Sequence, residues 1–305
     1  MFIRSHRFWR IGAGIIVLAL ACTGIVLLAR PHSIQPANGK LQIVAGENFW
    51  GDIAGQIGGA HVQATSIITD PNADPHLYES NAQNASAVAQ ADIVIVNGLG
   101  YDDFMTKLLG NATSSNRVVL SAAQLMHAPD GANPHLWYDI PHISTVAAAI
   151  ADTLESGDPK NTANYQRNVA AFDQSLLGLE NTLAHIHQKY AGAPVAYTEP
   201  VPAYLLAAAG LDNKTPEGFA KSIADGNDPS PADTQAMNAL ITNSQIKVLL
   251  YNAQATSPVT EAVKSLARQH GIPVVGVTET MPAGSSYQTW QQSQLQQLLQ
   301  ALGGY

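Results

Sequence analysis

Short apolar runs rich in β-branched residues punctuate this chain in two sets: Leu41–Val44, Val62–Ile68, Asp92–Val96 and Arg117–Leu120, then Pro194–Tyr197, Lys247–Tyr251 and Pro273–Val277. Runs of that length suit strands. The stretches between them, such as the Ala-rich Asn81–Ala89 and the amphipathic Thr260–Gln269, suit helices. Strand and helix in alternation form βα units, whose strands pair in parallel. The pattern therefore predicts an α/β protein with two βα lobes, each built on a parallel sheet.

Between the two sets, from about Asp158 to Tyr190, no proline follows Pro159, and Ala171, Leu176, Leu179, Leu183 and Ile186 fall near helical spacing. Unbroken, this stretch makes one backbone helix of about 45 Å at the standard rise per residue. Its glycine, Gly178, costs about 1 kcal/mol relative to alanine. A single long helix joining the lobes resists the wide hinge motion that strand linkers allow. The expected organisation is a signal or anchor segment with a polar linker over 1–38, an N-terminal lobe over 39–157, the linking helix over 158–190, and a C-terminal lobe over 191–305.

Before the linker, Arg4, Arg7 and Arg10 precede an apolar run from Ile11 to Ala29 that ends at Arg30 and Pro31. This is an export signal or an uncleaved anchor, with the positive charges on the cytoplasmic side and the body outside. Ala19-Leu20-Ala21 has the small-x-small pattern of a signal-peptidase site, yet apolar residues continue past it almost far enough to span a bilayer. The chain's one cysteine, Cys22, lies in this run, where Leu20 sits one place from the position a lipoprotein signal wants. With one cysteine there is neither a disulfide framework nor a CxxC metal site, so a metal site must use His, Asp and Glu. A net charge of -8 without a Lys/Arg stripe argues against nucleic acid as a partner.

Four motifs carry chemistry: Asp74-Pro75-His76-Leu77-Tyr78-Glu79, Asn133-Pro134-His135-Leu136-Trp137, Tyr197-Thr198-Glu199-Pro200 and Val277-Thr278-Glu279-Thr280-Met281-Pro282. Each puts a metal-competent side chain just after a strand or beside a proline. Loops at the carboxyl ends of strands are where open α/β sheets bind ligands, and the prolines restrict the backbone there. Two Pro-His pairs in one lobe face two strand-end carboxylates in the other, an arrangement that closing lobes can fold around one ion.

Together with Asn48-Phe49, Ala203-Tyr204, Gly210-Leu211, Thr215-Pro216, Asp228-Pro229-Ser230 and Asn252-Gln254, these motifs run in an order that resembles the metal-binding solute-binding proteins of zinc and manganese ABC importers. The resemblance covers nearly the whole chain after the linker. It implies two βα lobes bridged by a long helix, and His76, His135, Glu199 and Glu279 as the metal ligands. Glu199 stands where the family has either a third histidine or a glutamate. Glu279 replaces a common aspartate, and its extra methylene moves the carboxylate. The rival fourth ligand is Asp228, weighed below Glu279 because the adjacent Pro229 and Ser230 suit a turn or helix cap. The His-rich loop of many zinc members is absent.

Two imidazoles and two carboxylates suit Zn²⁺ or Mn²⁺, with Fe²⁺ also accommodated, over the oxygen-only preferences of Ca²⁺ and Mg²⁺. The resemblance implies a monomeric, extracytoplasmic, non-enzymatic capture protein that serves an ABC permease and its ATPase. The competing readings are a metal-dependent hydrolase, for which no HExxH or GxSxG is present, and a surface adhesin on the same scaffold. Asp74 and Tyr78 are expected either to support the ligands from behind or to serve the structure, and Trp137 and Trp290 to pack. His61, His127, His142, His185, His187 and His270 lack the strand-end or Pro-His setting.

Overall fold

The computed structural model describes residues 39–70, 78–112, 114 and 116–304, all within one compact unit spanning His32–Tyr305. The N-terminal apolar run with Cys22, and the segment holding Asp74 and His76, lie outside the described residues.

Eight strands form two sheets. They are β1 (Leu41–Glu47), β2 (Val62–Ile68), β3 (Ile93–Val96), β4 (Val118–Ser121), β5 (Pro194–Tyr197), β6 (Asp212–Asn213), β7 (Val248–Asn252) and β8 (Val274–Val277). The first sheet runs β2-β1-β3-β4 and the second β6-β5-β7-β8, with every pairing parallel. Both sheets thus reverse direction at the same place, between their first and third strands. Such a switch point opens a crevice at the strands' carboxyl ends. The sequence pattern anticipated seven strands; β6, at two residues, has too little length for a periodic signal and owes its extended shape to pairing with β5.

The helices among the described residues are α1 (Asn48–Gly58), α2 (Ala82–Gln90), α3 (Asp103–Asn111), α4 (Ala122–Leu125), α5 (Ile143–Gly157), α6 (Thr162–Tyr190), α7 (Ala203–Ala208), α8 (Glu217–Ala224), α9 (Pro231–Thr242), α10 (Pro258–Gln269) and α11 (Tyr287–Ala301). Side chains start several of them. Asn81 Oδ1 accepts from Gln83 N and Asn84 N, and Ser257 and Ser286 form capping boxes with Thr260 and Thr289. The long helix α6 follows a short turn at Pro159–Asn161 and continues through Gly178 without a break. It buries Tyr165, Phe172, Leu176, Leu179, Leu183 and Ile186, a stripe at helical spacing, against α1, α5 and α11.

One apolar core runs from the β1 face through α1, α5 and α6 to β5 and β7. Smaller cores under α3 (Val44, Val94, Phe104, Met105) and under α9 and α10 (Leu249, Met237, Ile241, Val263) cover the opposite face of each sheet. Phe49 of α1 stacks on Trp137 at 4.4 Å and lies 6.0 Å from Trp290 of α11. The Tyr287 hydroxyl donates to the Trp137 carbonyl at 2.7 Å, and Asp52 accepts from Tyr287 N at 2.8 Å. The last helix therefore returns from the second sheet to lock onto the first. Among the described residues, no helix is long and apolar enough to cross a membrane.

Candidate metal centre

Glu199 and Glu279 follow β5 and β8 on the same edge of the second sheet, and His135 emerges from the loop that follows α4. One donor atom from each of the three lies within 4.8 Å of the others, and all three residues are buried, at 1%, 0% and 1% exposure for Glu199, Glu279 and His135. His135 Nε2 is 3.6 Å from Glu279 Oε2. Buried carboxylates this close to each other and to an imidazole are costly unless a cation or hydrogen bonds compensate them. The structure thus brings together three of the four candidates. His76 lies outside the described residues, and Asp228 is exposed, lining a neighbouring pocket with Glu199 without joining the cluster. Next to Asp228, Ser230 caps α9 by accepting from Asp233 N at 3.1 Å.

Neutral side chains hold each of the three. Asn133 Oδ1 meets His135 Nδ1 at 2.5 Å, while Asn133 Nδ2 donates to the Pro200 carbonyl at 2.7 Å, beside Glu199. Asn252, the last residue of β7, donates to Glu199 Oε2 at 2.5 Å and to Glu279 Oε1 at 2.8 Å. Tyr101 donates its hydroxyl to Glu279 Oε2 at 3.0 Å. Burial first, and then the Glu279 charge beside it, push the Tyr101 phenol well above its ordinary pKa, so it remains a donor. Farther out, Gln254 Oε1 accepts from the backbone N–H of Glu279 and of Thr280, the latter at 3.1 Å. Asn48, the first residue of α1, brackets Met281 with both its amide atoms at 2.8 and 2.9 Å.

Tyr101 reaches the cluster through a turn after β3 in which Gly98, Leu99 and Gly100 have φ of 86°, 56° and 79°. Left-handed backbone suits the glycines; for leucine it costs about 1 kcal/mol or more. Asp102 holds the turn by accepting from Asn97 N at 2.6 Å and Gly98 N at 2.9 Å. A cleft of about 630 Å³ runs alongside and reaches His135 and Tyr101, with Tyr197, Pro200, Thr215 and Lys221 on its far wall.

The sequence reading did not assign a role to Tyr101, Asn252 or the side chain of Asn133. The one local trace of the first is the Gly-x-Gly turn behind a strand; Asn133 stands two residues before His135, and Asn252 directly follows the apolar run that forms β7. Tyr78 belongs to the packing of the first sheet, 4.9 Å from Phe104, with its hydroxyl on Asn84 Nδ2. Trp137 and Trp290 pack in the core, while His185 and His187 sit exposed on α6.

A buried His/Glu/Glu cluster at one end of two parallel sheets, whose lobes a long helix joins, is a donor set that could hold a transition-metal ion. Residues 43–301 match the family described as zinc-uptake complex component A, periplasmic (ZnuA), and the chain belongs to that family, which is made up of solute-binding proteins rather than enzymes. The manganese-binding lipoprotein MntA of Halalkalibacterium halodurans is 32% identical over 143 residues, 46% of this chain and 47% of that protein. The MntA of Bacillus subtilis is 26% identical over 248 residues, 78% of this chain and 79% of that protein. The chain spans about half the length of the first curated relatives it matches. In fold it superposes on the periplasmic zinc-binding protein TroA of Treponema pallidum with a TM-score of 0.74 at 20% identity, covering 87% of this chain and 99% of that one.

Proposed function

We propose that this protein captures a divalent transition metal, Zn²⁺ or Mn²⁺, outside the cytoplasm and hands it to an ABC permease driven by its ATPase. The carrying observation is the buried cluster of His135, Glu199 and Glu279, whose donor atoms lie within 4.8 Å of one another. Family membership supports the same reading, and the curated relatives include manganese-binding lipoproteins. His76, matched to the family's first imidazole ligand, completes the set as the fourth donor. The lobe boundaries follow from this reading: 39–157 and 191–305 each contribute ligands, and 158–190 joins them as the linking helix. We read the protein as a monomer, held at the membrane or released by its N-terminal segment.

Two imidazoles and two carboxylates carry a formal charge near that needed to neutralise a dication, and nitrogen donors favour transition metals over Ca²⁺ and Mg²⁺. Because the residues come from both halves of the chain, the ion ties the halves together, and the long helix keeps the accompanying motion small. Protonation of an imidazole removes its lone pair from a metal, so acid weakens the grip.

Isothermal calorimetry of the chelator-stripped chain with Zn²⁺ and with Mn²⁺ tests the reading. One ion per chain is expected, with a rise in Tm as ion concentration increases, since a ligand that binds only the folded state stabilises it by RT ln(1 + [L]/Kd). A stoichiometry near zero for both ions overturns it.

A further inference from the structure

The turn that carries Glu279 follows a strand of the second sheet, yet it is held by residues that belong to the first half of the chain. It leaves β8 at Thr278 and runs through Glu279 and Thr280 to Met281. At its far end, Asn48 Nδ2 donates to the Met281 carbonyl at 2.8 Å while Asn48 Oδ1 accepts from Met281 N at 2.9 Å, a two-point pairing between residues 233 apart. At its near end, the Tyr138 hydroxyl lies 2.8 Å from the Thr278 carbonyl and 2.7 Å from Gln294 Oε1, its one proton facing both acceptors. The backbone of Glu279 is thus pinned on either side.

Asn48 opens α1, but both polar atoms of its amide go to Met281 rather than to the helix. The sense of the amide is settled by its partners, since Nδ2 can only donate and Oδ1 can only accept. Met281 is buried, so its N–H and carbonyl have no easy exchange of Asn48 for water. A ligand whose backbone already stands in place needs no further ordering when it takes up an ion, and holds that ion the longer for it.

We infer that Asn48 is a positioning residue for Glu279: reaching from the start of α1, it clasps the turn by its backbone and keeps the carboxylate beside His135. The inference rests on the metal-capturing reading of the cluster and needs Glu279 only as one of the ligands, whichever of its oxygens the ion receives.

Release of Zn²⁺ from the loaded full chain, chased with an excess of chromophoric chelator in a stopped-flow instrument, tests this. A loosened turn lets the carboxylate leave the ion more often, so Asn48→Ala is expected to quicken release by roughly tenfold, the order set by two neutral hydrogen bonds. Gln56→Ala is the control. Gln56 and Gln288 exchange hydrogen bonds at 3.0 and 2.9 Å and join α1 to α11 away from the turn, so this variant should release Zn²⁺ at the parent rate whatever it does to the metal-free Tm. A merely structural role for Asn48 lowers the metal-free Tm and leaves release unchanged; that result overturns the inference while capture stands. Equal acceleration in Gln56→Ala also overturns it, because release would then follow the general packing of α1 on α11 rather than the turn. If Asn48→Ala does not fold, Asn48→Ser, whose hydroxyl suits a helix start and whose single oxygen cannot make the two-point pairing, takes its place with the same expectation. A parent chain that takes up no Zn²⁺ overturns the capture reading itself.

Discussion

Asn133 faces His135 through Oδ1 and Nδ1 at 2.5 Å, and the amide is locked in that sense because its Nδ2 donates to the Pro200 carbonyl at 2.7 Å. A carbonyl can only accept, so Oδ1 must be the atom on the ring, and Nδ1 of His135 must carry the proton. The lone pair therefore sits on Nε2, the nitrogen turned toward Glu279. Asn133 sets the tautomer of one candidate ligand while holding the backbone beside another, Glu199.

That double role makes Asn133→Ala costly to the site and cheap to the fold. Metal affinity should fall by about 10–100-fold, the usual penalty for losing the group behind a ligating histidine, with the far-UV spectrum unchanged. A competition titration against a chromophoric chelator measures it. Parent-like affinity in the alanine variant would mean that the ring is oriented by something else.

Glu279 and Asp228 can be separated by the same titration. Glu279 is fully buried in the donor cluster, whereas Asp228 is exposed beside the cap of α9. Glu279→Gln keeps the size and removes the charge, so affinity should drop by roughly tenfold or more. Asp228→Asn should bind like the parent. The reverse pattern would transfer the fourth-ligand role to Asp228.

Glu47 ends β1 fully buried, and neither of its carboxylate oxygens has a hydrogen-bond partner among the described residues. Burial, and secondarily the charge of Asp102, hold its pKa well above the usual carboxylate range. The folded chain thus keeps a proton that the unfolded chain releases above about pH 4.3. The stability this group allows is complete below that pH and is lost as pH rises toward the folded-state pKa. Glu47→Gln should raise the Tm of the metal-free protein at pH 7.5, by about 2–4 °C for each kcal/mol recovered, and leave it unchanged near pH 4. Equal shifts in melts at the two pH values would show that the effect is packing rather than ionisation.

Gly178 lies on the exposed side of α6, where an added Cβ would meet only Gln292 Oε1 at 3.9 Å. Gly178→Ala should therefore stabilise the chain by about 0.5–1 kcal/mol, the helix-propensity difference. Chemical denaturation of the metal-free protein reads it directly; a loss of stability would mean that the helix bends at this residue to follow the core.

Much of this architecture was written locally. The β-branched runs marked seven of the eight strands, and the apolar stripe from Leu176 to Ile186 marked the buried face of α6, because strand and helix impose their periods on neighbouring residues. The strand-end motifs singled out Glu199 and Glu279 for a similar reason, since loops after parallel strands are where ligands bind, and the Pro-His motif singled out His135. What the sequence alone left undecided was which neutral side chains would come to those ligands from far along the chain. Tyr101 and Glu279 stand 178 residues apart, Asn252 and Glu199 stand 53 apart, and nothing near Tyr101 says that a carboxylate will come to its hydroxyl. Those meetings exist because one core joins both sheets and α11 folds back onto α1 through Tyr287 and Asp52. Periodicity is a property of a segment, whereas a buried hydrogen bond between distant segments is a property of how whole layers pack, and only the tertiary structure decides that.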